Sequence, residues 1–206
     1  MTMAPPNSKH KGKSKKSKKP SNIPQAISQD ENTSLWITGL PAATTYHNLL
    51  ASIRKIGAIK STFINEPNKK YPTSCAAKVV FFEHEAAQKL YDNAQQGTFL
   101  VLGVQPVVKW NSFGVKNDPP NGRSRVLRIE GPIEVMYQAW FARVWRSTGM
   151  YWRIDDVLEI GPIRHGVGVV WYAFGSWASQ AGKAKKILQD EFPGVFKVEY
   201  KDDPCA

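Results

Sequence analysis

The chain has 206 residues, a hydrophobic share of 42% and a formal net charge of +11. This length allows one or two domains, and this hydrophobic share is enough to build sizeable cores. No apolar run reaches the roughly 18–20 residues that a membrane-spanning helix needs, and the lysine-rich N-terminus has no apolar stretch of the kind that opens a signal peptide, so neither is expected.

The charge is unevenly placed. Residues 1–24 carry seven lysines and no acid, for +7, which leaves +4 for the rest of the chain. Attraction to a polyanion is therefore expected to come mainly from the N-terminal segment. Residues 1–32 have too few apolar groups to offset the entropy of ordering and are expected to be a disordered tail. Its run Lys9, Lys11, Lys13, Lys15, Lys16, Lys18 and Lys19 suits a nuclear localisation signal, a phosphate-binding arm or a solvated tail, and the first two can coexist.

Residues 33–112 read as one β-α-β-β-α-β unit. Leu35 and Ile37 alternate with Trp36 and Thr38, which predicts a strand over Ser34–Leu40 with one apolar face and one face carrying an indole. Thr44 or Thr45 can cap a helix whose stripe is Leu49, Leu50, Ile53 and Ile56, with Gly57 just past its end. Ile59–Ile64 is a second strand. Asn65–Pro72 is a loop with Lys69 and Lys70, and Ala76–Phe82 is a third strand. Glu85–Gln95 is a second helix closed by Gly97. Val104–Trp110 is the last strand, with Pro106 suggesting an edge position. Residues 113–123, rich in Gly, Pro and Asn, have the chemistry of a linker.

Residues 124–206 repeat this order of elements at a period of roughly ninety residues, a duplicated domain rather than a solenoid. A strand opens with Val126, Leu127 and Ile129 and ends at Gly131-Pro132. Ile133, Met136, Tyr137, Trp140, Phe141 and Val144 fall at the spacing of an amphipathic helix. Strands over Trp152–Ile160 and Val167–Phe174, a helix over Ser176–Glu191 and a closing strand over Phe196–Tyr200 complete the unit. Five of the seven tryptophans lie here. Trp140 is on the apolar stripe; Trp145 falls off it, so either core packing or an exposed partner site is open to it.

The residues offer little for catalysis or metal binding. His10, His47, His84 and His165 are scattered without nucleophile or ligand spacing. Asp155 and Asp156 are adjacent, so on a strand they point to opposite faces. The glycine-rich stretch Gly161–Gly168 precedes a strand where a phosphate-binding loop precedes a helix, and is read as a hairpin connection. Cys75 and Cys205 form no disulfide framework and imply a reducing compartment. Cys75 reads as a small core residue and Cys205, near a terminus, as inert. No enzyme, cofactor, metal, membrane or small-molecule substrate is expected.

Leu35-Trp36-Ile37-Thr38-Gly39-Leu40 resembles the shorter signature of the RNA recognition motif, with Gly39 where Asn is commoner and Trp36 at the base-stacking position. For the longer signature the best frame is Ser74-Cys75-Ala76-Ala77-Lys78-Val79-Val80-Phe81. It turns Ala77, Val79 and Phe81 to the helices and avoids burying Lys78. In this frame Ala76 and Lys78 replace the two usual stacking aromatics, so one platform of three remains. The resemblance implies an α+β chain of two ferredoxin-like β-α-β-β-α-β domains, each a four-stranded antiparallel sheet with two helices. It implies single-stranded RNA as partner, bound on the first sheet by Trp36 with Lys60, Lys78 and Lys109 near phosphates, and a nuclear location. The alternative for Trp36 is packing beneath the linker or the other domain.

The second unit resembles the motif more loosely. Arg128 holds the stacking position of its first strand and Trp171 one position of its third, while Asp155 and Glu159 are expected on the same face, where they repel phosphates. It therefore reads as a degenerate copy that contacts protein or the first domain, and a protein-interaction scaffold is the alternative function for the whole chain. A protein-binding variant of the family carries an Arg-x-Phe loop before its last strand. Phe192-Pro193-Gly194-Val195-Phe196 has no arginine, so that function is not carried over. The tandem arrangement and the closing Asp202-Asp203-Pro204-Cys205-Ala206 resemble fungal members of the family.

Overall fold

The computed structural model describes residues 27–206, apart from His165 and the side chain of Arg164. The lysines of the N-terminal run lie outside the described residues. The first unit holds β1 (Ser34–Pro41), α1 (Tyr46–Ala51), β2 (Ile59–Asn65), β3 (Ser74–Phe81), α2 (His84–Gln95) and β4 (Val107–Trp110). The second holds β5 (Val126–Pro132), α3 (Gln138–Ser147), β6 (Ile154–Arg164), β7 (Val167–Phe174), α4 (Gly182–Glu191) and β8 (Lys197–Lys201). The sheets are antiparallel with orders β2-β3-β1-β4 and β6-β7-β5-β8, so each unit is a ferredoxin-like fold and the chain is a duplicated one.

Alternation selects the cores. In the first unit Leu35, Ile37, Ala77, Val79 and Phe81 point to the helices and are buried with Leu49, Leu50, Ile53 and Leu90. In the second, Leu127, Ile129, Val170, Tyr172 and Phe174 pack on Phe141, Trp145 and Leu188. Trp145 is thus core, at 1% exposure, which closes the partner-site option for it. β4, with Pro106 just before it, is an edge strand as its proline implies.

Two helices are shorter than their apolar stripes, for identifiable reasons. Thr45 and Asn48 form a reciprocal cap at the start of α1. The helix stops at Ala51, and the next turns end with Lys55 at a φ of 61°. There the amides of Lys55 and Gly57 donate to the carbonyls of Pro204 and Cys205, so the C-terminus takes the place of a further helical turn. In the second unit, Ile133–Val135 is a 3-10 turn and Tyr137 is extended, so α3 begins only at Gln138. Its first amide is capped by the Glu159 carboxylate of β6 at 2.8 Å.

The segment between the units is pinned rather than loose. Thr33 N–H donates to Val115 O, Asp118 N–H to Phe82 O, and His84 N–H to the Asn117 side chain. The described structure also begins before the first strand. Gln29–Glu31 forms a 3-10 turn, and buried Asn32 bonds Ser34 N, Val115 N and Asn111 O.

The second unit docks on the edge of the first sheet. Thr62 N–H of β2 donates to Gly175 O at 2.8 Å, and Ser61 bridges to Ser176. Arg125 is fully buried at this junction. Its guanidinium grips Asp203 through two hydrogen bonds of 3.0 and 2.8 Å, Asp155 at 2.9 Å and Phe174 O at 2.8 Å. Arg54 of the first unit reaches Asp155 at 3.0 Å, and Ile59 N–H donates to Asp203 at 2.9 Å. Burial alone would depress the arginine's pKa, but the facing carboxylates hold it above its ordinary value. Cys205 is no loose terminal residue: it belongs to the first unit's core, and burial, with Asp203 beside it, pushes its thiol up to about 12.

Candidate nucleic-acid interface

The first sheet's open face is built by the same alternation that fills its core. Across the sheet, Phe63 on β2 pairs with Lys78 on β3, Lys78 with Trp36 on β1, and Trp36 with Lys109 on β4. Rings and lysines therefore alternate along one row that crosses all four strands. Trp36 and Lys78 are half-buried, and Lys109 and Phe63 are exposed, Phe63 by 50%. Among the described residues, neither Lys78 nor Lys109 lies within ion-pair distance of a carboxylate.

On one side of this row the face closes, since Ser34 and Val80 are buried. On the other it opens into a groove of about 650 Å³ bounded by Trp36, Thr38, Asn65, Ala76 and, from the β2–β3 loop, Tyr71. Trp36 is therefore not sealed beneath the linker or the second unit. Gly39, at a φ of 76°, lets β1 shift register between Thr38 and Leu40 at the rim of the groove. Lys70 sits 5.1 Å from the centre of the Tyr71 ring.

One of the expected contacts is already paired within the chain. Lys60 lies where β2 shifts register and is ion-paired at 2.7 Å with Asp118, which also binds Arg123 at 2.6 Å. These partners, Arg123 first and Lys60 second, lower the Asp118 pKa to about 2. A phosphate at Lys60 would have to displace that carboxylate, so Lys60 leaves the candidate site. No sequence signature marks Phe63. Its signal is alternation on β2: buried Thr62 and Ile64 flank it, so it must point to the open face.

The second sheet's open face is chemically different. Arg128 opposes Trp171, and Trp171 opposes Leu158. Arg128 is ion-paired with Glu130 at 2.9 Å, and Glu199 with both Lys197 and Lys201. Asp155 and Glu159 are not on this face. The register shift between Ile154 and Asp156 leaves Asp155 in the junction, and Glu159 caps α3. A slip of one position on a strand exchanges faces, and it is Asp156, Leu158 and Ile160 that lie outward. Among the described residues no group of three or more His, Cys, Asp or Glu side chains is gathered as a metal site, and no helix is long and apolar enough to cross a membrane.

No protein-family model matches the sequence, and no curated protein matches it. Solved structures do. The two RNA recognition domains of Sex-lethal from Drosophila melanogaster are 18% identical, with 82% of this chain and 100% of that one covered and a TM-score of 0.32. The first two RRM domains of the yeast poly(U)-binding protein Pub1 are 17% identical, covering 82% and 99%, with a TM-score of 0.30. The third RRM of Pes4 is 21% identical over 41% of this chain and 96% of its own, with a TM-score of 0.34. Strand order and register define the class: a tandem of two units with the topology of the RNA recognition motif.

Proposed function

We propose that the protein binds single-stranded RNA on the open face of its first sheet and acts in the nucleus. Trp36 stacks a base, which contributes roughly 1–3 kcal/mol. Lys78 and Lys109 flank it on neighbouring strands and neutralise phosphates, which adds affinity without sequence information. The lysine tail, Lys9 to Lys19, adds non-specific attraction and suits nuclear import. The observation that carries this reading is a half-buried indole at mid-sheet that borders an open groove, with a lysine on each side that no carboxylate of the described residues answers.

The test is fluorescence anisotropy with short single-stranded RNA. Trp36→Ala should weaken binding about 5- to 150-fold, with the melting temperature little changed. Equal affinity for parent and variant would remove the sheet face from the proposal. Deleting residues 1–24 should flatten the salt dependence of binding, and an unchanged slope would exclude the tail.

A second reading, a protein-interaction scaffold, is favoured by one observation. On the second sheet Trp171, Leu158 and Ile160 share a face on which Arg128 is paired internally. Partners that stay bound after ribonuclease treatment, with no measurable RNA affinity, would support it over the first.

A further inference from the structure

The usual stacking rings of the third strand are missing here, and Ala76 and Lys78 stand in their place. A second ring is nevertheless present one strand further out. Phe63 lies on β2, next to Lys78 in the same row as Trp36, and half of its surface is open. No other row offers this. The row through Asn65, Ala76, Thr38 and Val107 has no ring, and the row through Ser61, Val80 and Ser34 is closed by burial of its two central members.

We propose that single-stranded RNA crosses the strands of the first unit along the row Lys109, Trp36, Lys78, Phe63, with a second base stacked on Phe63. This rests on the RNA reading above and adds a second binding position and its occupant. Trp36 and Phe63 are two strand spacings apart, roughly 10 Å. Two bases stacked on one another sit about 3.4 Å apart, so the nucleotides on these rings are splayed rather than mutually stacked. The phosphate between them lies over Lys78, the residue that separates the rings in register. An apolar protein partner would bury Phe63 equally well. It would also have to desolvate Lys78 beside the ring, which is costly without an anion to meet it. Docking of the second unit does not obstruct the site: it takes main-chain groups of Ser61 and Thr62 and leaves the Phe63 ring exposed.

The experiment compares Phe63→Ala, Phe63→Leu, Phe63→Tyr and Trp36→Ala in the full-length protein. Binding is read by anisotropy with a labelled octanucleotide pool of random sequence, and melting curves are recorded for each variant. Stacking on Phe63 predicts that Phe63→Ala and Phe63→Leu each weaken binding about 5- to 150-fold, while Phe63→Tyr binds within about threefold of the parent. Phe63→Leu keeps an apolar side chain at the β2 edge, so its loss of affinity reports the ring and not the fold. If Trp36→Ala weakens binding and Phe63→Leu does not, the second position is overturned and the RNA reading stands. If both bind like the parent, both are overturned.

Discussion

Two regions of this molecule handle charge in opposite ways. At the junction between the units Arg125, Arg54, Asp155 and Asp203 are all answered, two cations by two carboxylates, with main-chain groups taking the remaining valences. On the first sheet Lys78 and Lys109 stand beside two rings, and no described carboxylate reaches them. The junction's charges are internally complete and serve to hold one unit on the other. The sheet's charges are incomplete, and their counterpart must come from solvent or from a bound anion. The second sheet sides with the junction, because its Arg128, Lys197 and Lys201 already have glutamates. Cationic residue counts alone do not separate these cases; the pairing does.

The largest effect should follow from breaking the complete set. Arg125→Ala leaves Asp155 and Asp203 buried and short of a cation, which is expected to cost about 3–5 kcal/mol of stability. Denaturant unfolding would measure it, and an unchanged midpoint would mean that the junction contributes nothing. Next comes Gly175→Ala. A methyl group there would sit 2.8 Å from the Tyr46 ring, whose hydroxyl is held by Ile64 N–H at 3.3 Å and so cannot easily swing away. Overpacking of this kind costs about 1–3 kcal/mol. Tyr46→Leu in the same chain should recover part of the loss, and strict additivity of the two changes would argue against the clash.

Smaller, and directed at the incomplete set, are Lys78→Gln and Lys109→Gln. Each should lower RNA affinity uniformly across sequences and reduce the salt slope by about one, with stability nearly unchanged. A change in sequence preference instead would mean that these side chains read bases. The same substitution at Lys60 should leave the slope in place, because Asp118 already neutralises that lysine.

Much of the first unit could be read from its sequence, since alternation and helical spacing report burial directly. The inward set of β3 and the edge position of β4 follow from Ala77, Val79, Phe81 and Pro106. The junction was illegible for a reason that lies in the same rule. Arg125 has the parity of Leu127 and Ile129, so its inward direction was open to inspection, but the carboxylates that make burial tolerable come from β6 and from the C-terminus, 30 and 78 residues away. Asp155 lies in the junction and not on the open face expected for it, because a register shift at the start of β6 is invisible to alternation. At the candidate site a signature marks Trp36, whereas Phe63 lies on a strand that carries none, and only the register places it beside Lys78.

The smallest expected effect concerns the segment that joins the two units. Asp118 anchors it, bound by Arg123 and Lys60, with its own amide on Phe82 O at 2.9 Å. Its carboxyl titrates at about 2, below the roughly 3.9 of an unfolded aspartate. A depressed pKa stabilises the form that is ionised. The anchoring is therefore complete above about pH 4 and fades as the pH falls toward 2. The carboxylate is exposed to solvent, so salt should weaken the anchor too. Hydrogen exchange of the Asp118 amide should quicken across that interval, relative to its rate in Asp118→Asn measured at each pH. In the asparagine variant the exchange should already be fast near neutrality and should show no such step. A step of equal size in both proteins would assign the change to another carboxylate and leave the anchor without a role.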